Sequence, residues 1–436
     1  MALVRITRVA GVVSWQIVPV RQKVLGYLFV LMLITYLDRV CFSTTASAMA
    51  SELGLSLEQI GMAGSFFVLG YVLFEIPGGW LADRYGARLM LTRIVIWWSA
   101  FTALTGAAWN FVVLVAIRFL FGCGEAGAFP GSTSAIARWF PRHELGRAQS
   151  IVMFGSRIGF AMTSWVVIAL MAAHGWRSVY WIFAVLGIAW AIGWGAWFRD
   201  TPESHAAVDE AELALIRDNR SAASHGPKIH WGALLTNRNV WALCGMYSGY
   251  TWGLYFYIQW LPTYLERARG LDLPEIGPMA AAVLLSGAAA NLLGGWVSDR
   301  LVPSLGIRAA RRIPAMAGLL AAGVFLALAA TASDNTLSLV FLGLSFGSAE
   351  LILAVTWATC LDIGGSAAGV VSGTMNSLGQ IGGALAPWLI GLMVDRTGSW
   401  QPPLLVSSAY YVASALLWLL IEPDRRLKIS DAQPSV

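Results

Sequence analysis

The chain has 436 residues, 57% of them hydrophobic and only 12% charged, with a mean hydropathy of +0.65. A soluble protein carries roughly 25% charged residues, so half that share leaves too little polar surface to stay in water and excludes a soluble class. The net charge of +5 needs no nucleic-acid partner, because the placement of the basic residues accounts for it. A bilayer crossing takes about 20 apolar residues. By that ruler apolar runs fall at 24–50, 58–82, 90–108, 110–137, 147–173 and 176–198. After a polar stretch they resume at 238–264, 275–298, 313–331, 336–361, 367–394 and 402–421. Breaks coincide with Asp83-Arg84-Tyr85-Gly86, Pro141-Arg142-His143-Glu144 and Ala173-His174-Gly175-Trp176-Arg177. The expected fold class is an all-α membrane protein of 12 transmembrane helices. The first 23 residues show no small-residue cleavage site before the first long run, so no secretory signal is expected.

The 29 Lys and Arg are unevenly placed. Arg39, Arg118 and Arg157 lie inside the runs. Arg177, Arg267, Arg269 and Arg396 lie in loops on one side, and all the others flank the opposite side. By the positive-inside rule, both termini are expected in the cytoplasm. Cys41, Cys123, Cys244 and Cys360 fall inside runs without paired spacing and read as small apolar residues. The five histidines lie in loops or the linker, so no metal site and no cofactor are expected.

Residues 78–84 read Gly-Gly-Trp-Leu-Ala-Asp-Arg, and 294–300 read Gly-Gly-Trp-Val-Ser-Asp-Arg. Each copy closes the second run of its half. The repeat implies an N-terminal six-helix bundle at 1–198, a cytoplasmic linker at 199–237 with a helix-like run Val208 to Arg220, and a C-terminal six-helix bundle at 238–436. Paired halves with a central site are how several transporters are built.

Gly79-Trp-Leu-Ala-Asp83-Arg84-Tyr-Gly86-Ala-Arg88, with its shorter copy through Asp299 and Arg300, resembles the loop motif of the major facilitator superfamily. In that motif the glycine permits close helix approach, and the charges pair across helix ends in one conformation and release in another. The resemblance implies two pseudo-symmetric bundles and alternating access.

Ionisable groups at bilayer depth are costly unless paired or hydrated, which makes them functional candidates. Asp38 and Arg39 lie in the first run, Glu75 in the second, Arg118 and Glu125 in the fourth, Arg157 in the fifth and Glu350 in the tenth. Arg118 and Glu125 are two turns apart and share a face. Asp38 and Arg39 point about 100° apart. Asp38 is therefore expected to pair with the arginine of the fourth run, leaving Arg39 for a ligand.

Tyr36-Leu-Asp38-Arg39, Arg118-Phe-Leu-Phe-Gly122-Cys-Gly124-Glu125-Ala-Gly127, Trp260-Leu-Pro262-Thr-Tyr264-Leu and Asn376 with its neighbouring glycines look like the anion:cation symporter family. Members import sugar acids and other carboxylates, often with protons. The resemblance implies that Arg39 receives a substrate carboxylate, that Asp38 and Glu125 couple protons with Arg118 as their partner, and that Tyr36, Tyr71 and Asn376 line the cavity. The chemistry agrees: a guanidinium binds carboxylate bidentately and keeps its proton. Gln259, beside Trp260, is a candidate for hydrogen-bonding substrate hydroxyls. Glu75 and Arg157 depart from the hexonate importers. Arg157 either receives a second carboxylate or neutralises Glu75 or Glu350, and the near balance of the seven buried charges favours neutralisation.

The expected function is proton-coupled import of an organic anion (a hexonate, hexuronate, aldarate or other carboxylate) by a monomer in a bacterial inner membrane. No nucleic acid takes part. A drug/proton antiporter shares the fold, but run 147–173 has no proline and Arg39 disfavours a cationic cargo. A membrane-embedded enzyme would need a nucleophile–base pair or metal ligands at depth, and the runs contain no histidine. A receptor without net flux would normally carry a sizeable soluble domain.

Overall fold

The computed structural model describes residues 5–9, 12–16, 19–141, 144–218, 234, 236–365 and 368–426, with backbone alone for 5–9, 12–16, Asp83, Asp218, Leu292, Ala368 and Gly369. Arg5–Val9 (β1) and Val12–Gln16 (β2) pair as an antiparallel hairpin that the run pattern did not show.

The rest is helical. α1 spans Val20–Leu53, α2 Leu57–Tyr85 and α3 Ala87–Gly106. The fourth crossing is divided into α4, Phe111–Glu125, and α5, Ala128–Trp139. α6 covers Leu145–His174 and α7 Trp176–Trp197. Within the linker, α8 is Glu210–Asp218, shorter than the run expected from Val208; Arg220 lies outside the described residues.

The second half opens with α9, Arg238–Tyr255, a wide π turn at Phe256–Trp260, and α10, Leu261–Arg267. Pro262 has no N–H to continue the ordinary ladder, which accounts for the slipped register. α11 runs from Leu273 to Thr331 and carries two crossings, turning at Gly306 (φ 74°). Much of the expected loop at 299–312 is thus helical. α12 is Asn335–Gly364, α13 Ala368–Thr397 and α14 Gln401–Leu417. Among the described residues, ten helices are long and apolar enough to span a bilayer. α11 counts twice, and the π-interrupted 238–267 segment completes twelve.

Helix starts follow local chemistry. Ser56 and Gln59 form a reciprocal capping box on α2, Asn110 caps α4 and Asp334 caps α12. The connections divide into a linker end and a far end. At the linker end Glu212 accepts from the Val20 and Arg21 backbone N–H groups at 3.0 and 2.9 Å, and Asp200 accepts from the Arg88 N–H at 2.9 Å. At the far end Glu52 accepts from Trp176 at 2.6 Å and Arg177 at 3.0 Å.

The two bundles meet tightly at the far end. A Cβ on Gly61 would strike the Pro387 carbonyl oxygen, and one on Gly391 the Leu57 carbonyl oxygen. The Trp388 N–H donates to Ser65 Oγ at 3.0 Å, and its indole donates to Glu58 at 3.1 Å. Asp395 of α13 accepts from the Leu57 and Glu58 N–H groups at 3.3 and 2.6 Å, capping α2 from the opposite bundle. Losing such a cap costs about 1 kcal/mol, roughly a fivefold change in equilibrium. Asp395→Ala is accordingly expected to raise the population with the far ends apart. Spin-label distances between the outer turns of α2 and α13 would show it, and an unchanged distribution would remove Asp395 from the seal.

Candidate functional site

The charges singled out in the sequence gather inside the N-terminal bundle and at its interface with the C-terminal one. α4 reaches them because its small residues allow backbone contact: a Cβ on Gly122 would meet the Phe67 carbonyl oxygen of α2, and Gly78 lies against Gly127. That approach delivers Glu125, the last residue of α4, beside α1.

There Arg39 Nε donates to Glu125 Oε1 in a close ion pair. The pair is asymmetric. The Glu125 side chain is 0% exposed and that of Arg39 13%, so the guanidinium is the more accessible partner of a buried acid. Aromatic faces surround the cation: its Cζ lies 4.6 Å from the Tyr71 ring centroid, 5.3 Å from Tyr36 and 5.6 Å from Phe67. Tyr255, from the other bundle, is within electrostatic range.

The expected Asp38–Arg118 pair is not formed. Arg118 Cζ packs 4.4 Å from Phe42, 4.7 Å from Phe67 and 4.8 Å from Phe121, and its Nε has no hydrogen-bond partner. Both Asp38 oxygens are buried and also without a hydrogen bond, although Arg118 and Glu125 lie within electrostatic range. Sequence adjacency fixed the divergence of Asp38 and Arg39 but not which would take the acid of α4. The rings that enclose Arg118 come from α1, α2 and α4 together, and no local pattern reveals that.

A second arginine–acid pair lies across the bundle interface. Arg157 of α6 approaches Glu350 of α12 at 3.0 Å, and Glu350 also accepts from Tyr250 Oη at 2.7 Å. Of the two partners foreseen for Arg157, the structure selects Glu350. Glu75 is instead held by Asn376, whose amide donates to its two oxygens at 3.0 and 3.1 Å and joins α2 to α13.

Gln259 has no hydrogen bond to Arg39. It lies in the π turn against Gly64, with its Nε2 buried and unpartnered. In the loop motif, Gly79 faces Pro130 and Arg84 stacks on Trp80 and Tyr85. Gly86, with φ 88°, leaves room for the Asp200 carboxylate that caps α3, while Arg88 Nε donates to the Gly195 carbonyl at 2.8 Å. The Asp83 side chain lies outside the described residues. In the second copy, Arg311 bridges Asp299 at 2.7 Å and Asp362 at 2.9 Å, and Arg300 stacks on Trp296. Of the motif charges, Asp299 is thus held in an ion pair, Arg84 and Arg300 lie on aromatic rings, and Arg88 holds a backbone carbonyl. Tyr250, Tyr255 and Asp362 were not singled out as charge partners, because their partners are distant in sequence. Among the described residues no group of His, Cys, Asp or Glu could hold a metal ion.

Two helical bundles around a charged, aromatic-lined centre define a membrane carrier. The chain belongs to the Major Facilitator Superfamily, whose family model matches residues 28–387. It is 35% identical over 413 residues to a probable sulfoacetate transporter of Cupriavidus necator, covering 94% of this chain and 95% of that one. It is 33% identical to a probable galactarate/D-glucarate transporter of Bacillus subtilis, over 92% of each chain. A probable L-galactonate transporter of Escherichia coli is 31% identical, with 94% and 90% covered. These relatives are transporters, not enzymes, and fit the anion:cation symporter family that the motifs resemble. In fold, the chain is similar to a bacterial homologue of the human lysosomal transporter Spinster (TM-score 0.77, 19% identity, 95% and 99% covered). It is likewise similar to a D-xylose–proton symporter (TM-score 0.73, 14% identity, 92% and 98% covered).

Proposed function

We propose that this protein imports a small organic anion together with protons, by alternating access of its two bundles. The observation that carries the reading is Arg39, a permanent cation at bilayer depth whose exposed face is ringed by aromatics and whose buried face holds Glu125. A carboxylate entering from the open side competes with Glu125 for the guanidinium. Glu125 then takes a proton rather than remain an unpaired buried charge, since breaking a buried pair costs about 3–5 kcal/mol. Anion arrival and proton loading are thereby linked. Asp38, without a hydrogen bond, is the second proton carrier, and Arg118 stabilises whichever acid is ionised. Tyr36 and Tyr71 orient the cargo. Asn376 and Glu75 hold the bundles until it binds, and the loop motif from Gly79 to Arg88 stabilises one end state.

The positive-inside rule supports a linker end and termini in the cytoplasm, with the sealed far end facing outside. The relatives named for sulfoacetate, galactarate, glucarate and galactonate support an acid as cargo. The setting proposed is a bacterial inner membrane, with a monomer as the working unit. A cationic drug would meet Arg39 as a like charge, which disfavours the antiporter reading. The test is uptake into proteoliposomes of labelled hexonates, hexuronates, aldarates and simple dicarboxylates, with and without an inward proton gradient. Gradient-stimulated accumulation of an acid is expected. Uptake indifferent to the gradient would sink the coupling scheme, and uptake of none of these acids would sink the anion reading.

A further inference from the structure

The two arginine–acid pairs share one design. In each, the acid side chain is 0% exposed and the arginine is partly open, 13% for Arg39 and 24% for Arg157. The acids also occupy corresponding places in the two bundles. Glu125 stands 15 residues after its N-cap Asn110, and Glu350 stands 16 residues after its N-cap Asp334. Glu350 has a further donor in Tyr250, so the pair is backed by a fixed hydrogen bond.

The arginines sit on touching helices. A Cβ on Gly159 of α6 would lie 3.2 Å from Tyr36 Cβ and 2.6 Å from the Leu33 carbonyl oxygen of α1, so the backbones meet at this depth. Tyr36 is close to the first cation and within electrostatic range of the second: its ring centroid is 5.3 Å from Arg39 Cζ, and it acts electrostatically on Arg157. Phe160, one turn from Arg157, packs 6.0 Å from Tyr36 and 6.2 Å from Phe346 of α12, linking α1 to α12 through three aromatic rings. Helices in contact run about 8–10 Å apart, so the two arginines are carried on neighbouring axes. Arg118 offers no such face, being enclosed by three rings and 2% exposed.

We infer that Arg157 is a second anion receptor, and that the cargo is a short acid with two anionic ends. One end seats on Arg39 and the other, a carboxylate or sulfonate, displaces Glu350 from Arg157. This rests on the anion-importer reading and narrows it. Because Arg157 and Glu350 belong to opposite bundles, the second end acts at the interface that must part during rocking, whereas the Arg39 pair lies within one bundle.

The test is competition binding to the purified full chain with pairs matched in size: glucarate against gluconate, and sulfoacetate against the neutral-sulfone monoanion methylsulfonylacetate. The wild type is expected to bind each dianion at least about 30-fold tighter than its monoanion, the contribution of one charge-assisted contact. Arg157→Gln is expected to collapse that ratio to about one. Glu350→Gln, which removes the competitor and keeps the arginine, is expected to raise it, and answers the question should Arg157→Gln fail to fold. A wild-type ratio near one, or a ratio that neither variant moves, overturns the second receptor. If binding then still depends on Arg39, the importer reading stands alone. Absence of binding by every anion overturns both.

Discussion

Arg39→Ala is expected to reduce proton-driven uptake by at least about 100-fold. Truncating one partner of a buried charged contact costs about 2–5 kcal/mol, and more when the remaining charge has nowhere to go. The loss has two sources that can be separated. One is the missing receptor for the cargo. The other is Glu125, fully buried and left without its cation. In the double variant Arg39→Ala/Glu125→Gln the second source vanishes, so thermal stability should recover while uptake stays abolished. Recovery of uptake along with stability would mean that Arg39 serves the fold and not the cargo. Arg39→Lys should lie between, because an ammonium keeps the charge but loses the two-pronged geometry.

Glu125→Gln is expected to separate binding from coupling. A glutamine copies the protonated acid: it leaves Arg39 free and has no proton to give up. In the wild type, cargo binding should tighten as pH falls, by up to about tenfold per unit for one linked proton, because protonation of Glu125 releases the arginine. The groups that face Glu125 are Arg39 and Asp38 from α1, Arg118 from its own helix, Tyr71 from α2 and Tyr255 from α9. Over the same range the variant should bind tightly with a flattened profile, exchange cargo across the membrane in counterflow, and fail to accumulate it on a proton gradient. Accumulation at the wild-type level would move the coupling elsewhere, with Asp38 the next group to test.

The crossings were legible because bilayer thickness sets a length, and the loops announce themselves by charge and turn residues. The second half proved less regular than its run pattern. Nothing in the hydropathy of 275–331 distinguishes a loop from a polar helix turning at Gly306, and the π turn before Pro262 is a register effect within an apolar stretch. In the site, one-dimensional spacing put Arg118 and Glu125 on one face, and buried charge balance pointed to a partner for Arg157. Pairing was harder to read, because it depends on which helices touch. Arg39 found Glu125 across 86 positions, and Glu75 found Asn376 across 301. The Asp395 cap on α2 spans 337 residues and left no local trace.

The seven mid-depth charges have a consequence for energetics. Asp38, Glu75, Glu125 and Glu350 against Arg39, Arg118 and Arg157 leave one negative charge when every acid is ionised, and none once a single proton is held. A charge carried through the full membrane voltage exchanges about 2.3 kcal/mol per 100 mV. An empty carrier holding one proton therefore swings back without performing electrical work, and the return stroke is blind to the membrane potential. Voltage would then act only on the loaded stroke, through whatever charge the cargo and its accompanying protons leave uncancelled.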